Sequence, residues 1–479
     1  MELLFILGFV VAALVGFVFK RNMVRETLSV LASSIALVGV ITVALKVAAE
    51  GHYAPFSFVA VDSLGAIIML IIGTVGLAAT IYSVAYLRHE LKKKVIDLKQ
   101  HRLFFTLLNL FLAVMYMAVA SSSPIFTWVC VEATTLSTAL LISFYNKPSA
   151  MEAAWKYLIV NSIGLLLGFF GTLLYFTITH TLAVDGFITW QALLDNASHL
   201  DPVMAKVAFV FVLIGYGTKA GFVPMHTWLP DAHSKAPSPV SALLSGVLLN
   251  VALYVILKFK AITDVAATPG FTDQALIIFG LMSVVFAAFI IVTQQHYKRM
   301  LAYSSIENMG LIALGFGFGG VGILAAIMHM IYHALVKSSL FFMSGNILLK
   351  YSSGHIKKVQ GALTALPITG VLLIAGVLAI TGMPPFGIFF TEFFTFSAGI
   401  KDHLPVVIVV ILALAVMFIG FMRNANSMLF GKVPTGIKPG EINIWLVVPP
   451  VVLLSLVLVM TFYLPPFLQT LIHDAASRF

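Results

Sequence analysis

Cysteine is almost missing from this sequence: Cys130 is the only one in 479 residues. A lone thiol cannot close an internal disulfide, nor hold an iron–sulfur cluster, which takes about four protein ligands. Charge is equally scarce. Asp, Glu, Lys and Arg make up 10% of the chain, against about 25% in a soluble globular protein. That scarcity excludes a disordered chain, a nucleic-acid-binding module and a soluble multidomain enzyme, whose outer surface needs polar residues. No Gly-rich phosphate loop of the GxxxxGK[ST] type occurs either. Redox or nucleotide chemistry coupled to this protein is therefore expected in other subunits, and this chain is expected to carry no cofactor, no metal and no catalytic residue of its own.

What is abundant is apolar, 60% of all residues. At about 20 residues per crossing, the length has room for about 14 transmembrane helices. Apolar runs fall at 3–19, 27–49, 63–87, 103–122, 124–145, 157–180 and 203–229, then at 239–262, 274–294, 301–320, 321–350, 365–400, 404–430 and 443–469. The expectation is an all-α polytopic membrane protein with the lipid bilayer as its solvent. The first run resembles a signal peptide in length. It begins with an acid, Glu2, and ends at Lys20-Arg21 instead of a small-residue cleavage site, so it is expected to stay as the first helix. No stretch reads as a soluble domain or flexible linker; the longest polar segment, 88–102, reads as a basic connector.

Loop charges test the count independently. The formal net charge is +9 with 28 Lys and Arg, and 20 of these lie in the loops after the odd-numbered runs. The opposite side holds six: Lys46, Lys206, Lys258, Lys260, Lys401 and Arg478. By the positive-inside rule the first side is expected in the cytoplasm and both termini outside.

Once the charges at the two sides are sorted, two cations, Lys219 and Lys337, and three acids, Glu132, Glu307 and Glu392, are left over within apolar runs. A charge at mid-membrane costs about 2.5–3.5 kcal/mol on insertion scales. Five unpaired charges would thus cost roughly 12–18 kcal/mol, comparable to a whole domain's stability. They must pair, neutralise or line water.

Glu132, in the fifth run, and Lys219, in the seventh, invite an ion pair at matching depth. One reading is a static pair that fixes helix packing. The other is a switchable pair: with Glu132 near, Lys219 keeps its proton, and with the acid displaced the cost of an unpaired buried ammonium expels it. A swing of roughly 3.5 kcal/mol would move one charge against about 150 mV, at about 2.3 kcal/mol per 100 mV. In the eleventh run His329, His333 and Lys337 recur every four residues, forming one stripe about 12 Å long on one helix face. Core packing, a metal-binding HxxxH pair and a hydrated proton relay are the alternatives, and imidazole suits the last because it titrates near neutrality.

Gly and Pro interrupt the seventh run at GYGTKAGFVP and the twelfth at AITGMPPFGIFFTEF. Each break lies beside an ionisable residue, Lys219 or Glu392. Broken helices at corresponding points of two repeats point to an ion path, although a simple kink is the plainer reading. Two inverted five-helix repeats, runs 4–8 and 9–13, would place Glu132 and Glu307 equivalently. The expected organisation is N-terminal helices 1–102, a first repeat 103–262, a second repeat 263–430 and a C-terminal helix 431–479. After the seventh run, HTWLPDAHSKAPSPVSALLSG offers His226 and His233, read either as part of a capped turn or as cytoplasmic proton intake.

VPMHTWLPDAHSKAPSPVSALLSG, KRMLAYSSIENMG, HALVKSSLFFMSG and GMPPFGIFFTEF together carry a specific resemblance over essentially the whole chain. The chain resembles the antiporter-like subunits shared by respiratory complex I, Mrp-type cation/proton antiporters and group 4 membrane-bound hydrogenases. SSIENMG and GVLLNVALYVILKF are most similar to the hydrogenase-4 component F branch. The resemblance implies a proton-translocating subunit of a prokaryotic inner-membrane complex. Its partners would be further antiporter-like and small membrane subunits, with peripheral iron–sulfur, hydrogenase-type or dehydrogenase subunits and no nucleic acid. It implies that Glu132 and Lys219 form the acid–base pair of a first half-channel, that His329, His333 and Lys337 form a central hydrophilic axis, and that Glu392 is the terminal ionisable residue. Glu307, Asn250, His226 and His233 would be accessory. Asn250 is a departure, since many relatives carry lysine there, and an amide cannot store a proton. The long lateral helix of some complex I relatives is also expected to be missing.

Overall fold

The computed structural model describes residues 3–19, 21–177 and 188–479. Glu2, Lys20 and the end of the sixth apolar run at 178–180 lie outside these. The chain begins with α1 (Phe5–Val18) and α2 (Asn22–Glu50). An antiparallel hairpin of β1 (His52–Phe56) and β2 (Val59–Asp62) leads into α3 (Ser63–Lys92). Then come α4 (Leu98–Ala120), α5 (Pro124–Ile142), α6 (Pro148–Tyr175), α7 (Pro202–Ala220) and α8 (Leu229–Lys235). The second half runs through α9 (Ser238–Ala266), α10 (Phe271–Thr293), α11 (Tyr297–Phe318) and α12 (Val321–Tyr351). It finishes with α13 (Pro367–Ile380), α14 (Gly387–Gly399), α15 (Leu404–Leu429), α16 (Val448–Phe462) and α17 (Pro466–Ala476).

Among the described residues, eleven helical stretches are long and apolar enough to cross a bilayer, with α7 through α8 counted as one. The protein is thus a multi-pass, predominantly helical membrane protein. α1 and α13 are apolar but shorter.

Local chemistry explains where the helices start and stop. Asp97 and Gln100 form a reciprocal capping box at α4, and Asp201 accepts from the Met204 amide at α7 with Pro202 next, satisfying donors that a helix start leaves free. Gly319 and Gly320, at φ +74° and +53°, separate α11 from α12, resolving a boundary that hydropathy alone leaves blurred. Both interrupted runs are divided: α7 stops at Gly221 (φ +85°), and α13 and α14 are separated by a stretch containing Gly382 (φ +66°). The expected connector 88–102 is mostly helix, leaving 93–97 between α3 and α4.

Two elements depart from the hydropathy reading. The hairpin 52–62 mixes apolar and polar residues in too short a segment to register as a run. α17 is amphipathic: Leu468, Leu471, Ile472 and Ala475 are buried, while Gln469 and Thr470 face outward.

The side chain just beyond α17 ties the ends of the fold together. Arg478 reaches Asp62 at 3.0 Å, and Lys258 of α9 reaches the same carboxylate at 2.7 Å. Burial alone would raise the Asp62 carboxyl, but Lys258 and Arg478 outweigh it and hold it below the ordinary aspartate range. A carboxyl whose native value is depressed stabilises above its unfolded value, and that contribution is lost as pH falls through the native one. Asp62→Asn is therefore expected to cost about 0.5–3 kcal/mol near neutrality, the usual range for a point substitution, because Lys258 and Arg478 are exposed enough to be hydrated when the carboxylate is lost. Thermal melting in detergent should show the deficit at pH 7 and show it shrinking in acid.

Glycines set the closest helix approaches. An added Cβ at Gly215 of α7 would lie 2.3 Å from the Gly168 nitrogen and 2.7 Å from the Gly164 carbonyl oxygen of α6. α10 and α11 meet likewise at Gly280 and Gly310. Without a hydrophobic drive between helices in lipid, such small-residue seams supply the packing. α9 runs through the middle of the molecule, its most apolar stretch wholly buried. It contains a π-helical turn, Leu244–Leu248, where a Cβ at Gly246 would strike the Ser338 hydroxyl and the Ala334 carbonyl of α12. Such turns often mark functional sites.

Candidate functional site

Lys219 sits in the last turn of α7 and is completely buried. Its Nζ donates to the Thr135 hydroxyl at 2.7 Å and to the Tyr157 hydroxyl at 2.8 Å, and lies 5.0 Å from the Tyr157 ring centroid. Glu132, one turn before Thr135 on α5, is only half-buried. Its carboxylate accepts from Ser162 at 2.7 Å and, weakly, from Thr135 at 3.5 Å. The direct ion pair expected from the sequence is thus replaced by a hydroxyl-bridged one: Thr135 accepts from the ammonium and donates to the carboxylate. The physical reason is local geometry, since a residue three positions after Glu132 shares its helix face and a hydroxyl is both donor and acceptor. Sequence reasoning missed Thr135, Ser162 and Tyr157. The i, i+3 spacing of Glu132 and Thr135 could have found the first; nothing in the sequence singles out the others.

The eleventh run forms one continuous helix, α12, and His329, His333 and Lys337 are all buried along it. Lys337 donates to the Leu301 carbonyl and to the Ser304 hydroxyl of α11, the latter at 2.6 Å. His333 has neither ring nitrogen bonded to a protein group. His329 bridges two helices: Nε2 lies 3.0 Å from Asn308 Oδ1 on α11, and Nδ1 lies 2.8 Å from the Thr391 hydroxyl on α14. Asn308 in turn donates to Glu307 at 2.5 Å and to the Ser304 carbonyl at 2.7 Å. Lys337, Ser304, Asn308, Glu307, His329 and Thr391 therefore form one polar cluster through a buried apolar interior.

Glu392 follows Thr391 within α14 and is buried, with its side chain reaching back to the break between α13 and α14. Its carboxylate lies against Gly382, where an added Cβ would fall 2.1 Å from Oε2. The glycine thus serves twice, supplying both the left-handed turn and the space the carboxylate occupies. Asn250 links α9 to the same region, donating to the Gly246 carbonyl at 2.9 Å and to the Met330 carbonyl at 3.4 Å. Met330 lies one turn before His333.

The loop histidines differ in their surroundings. His226 lies in the short turn Met225–Trp228, edge-on to Phe286 with centroids 4.8 Å apart. His233, in α8, is fully buried and stacks on Phe341 at 5.1 Å, with both ring nitrogens lacking a protein partner. Buried polar atoms are nearly always satisfied, so orphaned imidazoles at His233 and His333 stand out from ordinary core packing. Asp231, between the two loop histidines, holds the loop in place by pairing with Lys156 at 2.7 Å and with Arg299.

Comparison with known proteins accords with this arrangement. The family described as "NADH:quinone oxidoreductase/Mrp antiporter, TM" matches residues 121–418. The "Hydrogenase-4 component F homolog" of Methylacidiphilum infernorum is 38% identical over 348 residues, covering 72% of this chain and 73% of that protein. A Na(+)/H(+) antiporter protein of Alkalihalophilus pseudofirmus is 28% identical, covering 87% of this chain; the match spans 53%, about half, of that longer protein. Among solved structures, a chain of the archaeal membrane-bound sulfane sulfur reductase superposes with a TM-score of 0.86 at 24% identity, covering 100% of this chain and 97% of that one. At that identity the likeness concerns the fold.

Proposed function

Because the chain belongs to the NADH:quinone oxidoreductase/Mrp antiporter transmembrane family, we propose that it is the proton-translocating, antiporter-like component of a redox-driven membrane complex of hydrogenase type. The observation carrying this reading is the pair of buried polar clusters, around Lys219 and around Lys337, in a protein otherwise short of charge. An inert membrane anchor has no use for them, since ionisable groups in the bilayer are expensive.

In this reading the chain lies in a prokaryotic inner membrane with both termini outside, as the loop charges favour. Two inverted repeats, 103–262 and 263–430, carry the two breaks. Protons load from the cytoplasm towards Lys219, pass Asn250 through water to His333, Lys337 and His329, and leave near Glu392. Glu307 buffers the axis. Neighbouring antiporter-like and small membrane subunits move Glu132 relative to Lys219, driven by electron transfer in peripheral iron–sulfur subunits. The chain also shares 28% identity with a sodium/proton antiporter protein, which supports a second reading, an Mrp-type exchanger without a redox partner.

Affinity purification through a tag on this chain separates the two. Co-purification of iron–sulfur or nickel subunits is expected. Proteoliposomes of the purified complex should then build a pH gradient when electrons are supplied through reduced methyl viologen, with or without sodium. Electron transfer without a pH gradient would overturn the proposal. A gradient driven by sodium alone, with no redox subunit present, would establish the exchanger.

A further inference from the structure

Glu90 is an ionisable residue that the two clusters above do not use. It lies near the end of α3, 5% exposed, and lines a cavity of about 370 Å³ with His89, Lys93, Tyr145 and Lys147. Its Oε1 accepts from the Tyr145 hydroxyl at 2.7 Å, and that hydroxyl lies 3.2 Å from the Tyr86 hydroxyl. Its Oε2 is buried without a protein partner. A carboxylate half-satisfied at the floor of a cavity has an oxygen available to a proton.

The next group inward is also buried. Lys298, at the start of α11, is 5% exposed and donates to the Ala236 carbonyl at 3.0 Å. Lys298 and Glu90 act on each other through the field, yet each takes its hydrogen bond elsewhere. A static counter-ion pair would close that gap. Ala236 caps the short helix that carries His233, and His233 feels both Lys298 and Lys337. The ring stacked on His233 is Phe341, and Lys337 Nζ lies 5.5 Å from the centroid of that ring. Four helices, α3, α11, α8 and α12, thus set Glu90, Lys298, His233 and Lys337 in order from a cavity to the buried axis.

We propose that Glu90 is the proton-loading group of a second intake, passing protons from this cavity through Lys298 and His233 to Lys337 by a route that does not include Lys219; the two intakes serve one coupled cycle, so losing either stalls both. Glu90 takes one proton from water in the cavity and becomes a neutral acid. It then gives that proton to the amine of Lys298, which becomes the ammonium, and the carboxylate is restored. The inference rests on the proton-translocation reading, and its test keeps the two apart.

The test compares wild type, Glu90→Gln, Glu90→Asp and Lys219→Met in the purified complex in proteoliposomes. Glu90→Gln is expected to lower the initial rate of proton translocation at least five-fold, and Glu90→Asp to keep half or more of it. The dependence of the rate on cavity-side pH should flatten in Glu90→Gln. Tyr86, Tyr145, Lys93, Lys147, Lys298 and His89 also face this carboxylate or its cavity, so His89→Gln must leave the profile unchanged for the assignment to Glu90 to stand. In native membranes a hydrophobic carbodiimide, which reacts with protonated buried carboxyls, should label Glu90 in the wild type. That labelling, with Glu90→Asp, decides the matter if Glu90→Gln fails to assemble. Wild-type rates in Glu90→Gln, or no labelling of Glu90, overturn this inference alone. Full translocation in Lys219→Met overturns the underlying reading instead.

Discussion

Lys219→Met is expected to leave the complex assembled and to lower its proton translocation at least ten-fold. Methionine keeps an unbranched chain of similar length, so the space around Lys219 stays filled. The hydroxyls left behind are not orphaned: Tyr157 still meets Thr138 at 2.6 Å, and Thr135 keeps its contact to Glu132. Glu132 is only half-buried and keeps Ser162 and Thr135 as donors, so removing the ammonium leaves no bare buried charge behind. The variant therefore divides two roles that an alanine substitution would blur. A packing role predicts unchanged pumping, whereas a proton-carrying role predicts its loss, ten-fold corresponding to about 1.4 kcal/mol of barrier. Dye-quench measurements on proteoliposomes, with the composition of the complex checked in the same preparation, read both. Normal pumping by an assembled Lys219→Met complex would remove Lys219 from the path.

Gly215→Val is expected to fail the other way, losing assembly first. The new Cβ would fall 2.5 Å from the Gly168 Cα and 2.3 Å from its nitrogen, both backbone atoms that no rotamer change can move aside. α6 and α7 would have to part. Overpacking usually costs about 1–3 kcal/mol, and a backbone-to-backbone clash belongs at or above the top of that range. The damage reaches the site, because Lys219 lies one turn beyond Gly215 and its partner Tyr157 is on α6. Thermal melting of the purified complex should show the loss, with Gly8→Ala as the comparison, since nothing lies within 4 Å of a Cβ there. A Gly215→Val complex as stable as Gly8→Ala would mean that the α6–α7 seam is looser than its geometry states.

How much of this was legible beforehand depended on the kind of signal. Membrane character followed from composition, because charge scarcity and long apolar runs have one common explanation. The alignment of His329, His333 and Lys337 followed from helical period. The breaks followed from Gly and Pro, whose backbone limits are local. The hairpin at 52–62 and α17 escaped because hydropathy finds spans and neither element is one. Thr135 escaped for a different reason: its importance comes from Lys219, 84 residues away, and periodicity within one helix says nothing about which helix lies opposite. Glu90 and Lys298 were hidden by their addresses, near helix ends beside basic loops, where charged residues are ordinarily solvated. Tertiary packing buries them, and only the assembled helices reveal it.

The Thr135 hydroxyl carries a consequence for how charge is held. It has a single hydrogen. While that hydrogen points at Glu132, the oxygen is left to accept from Lys219, so the ammonium and the carboxylate share a dipole and not a proton. A direct neutralising jump between them is blocked until the hydroxyl gives up its own hydrogen or turns away. The arrangement behaves as a small capacitor with a polar dielectric one atom thick. Discharge takes two linked transfers, from the ammonium to the hydroxyl oxygen and from the hydroxyl to the carboxylate, and one bond must then rotate before the site can recharge.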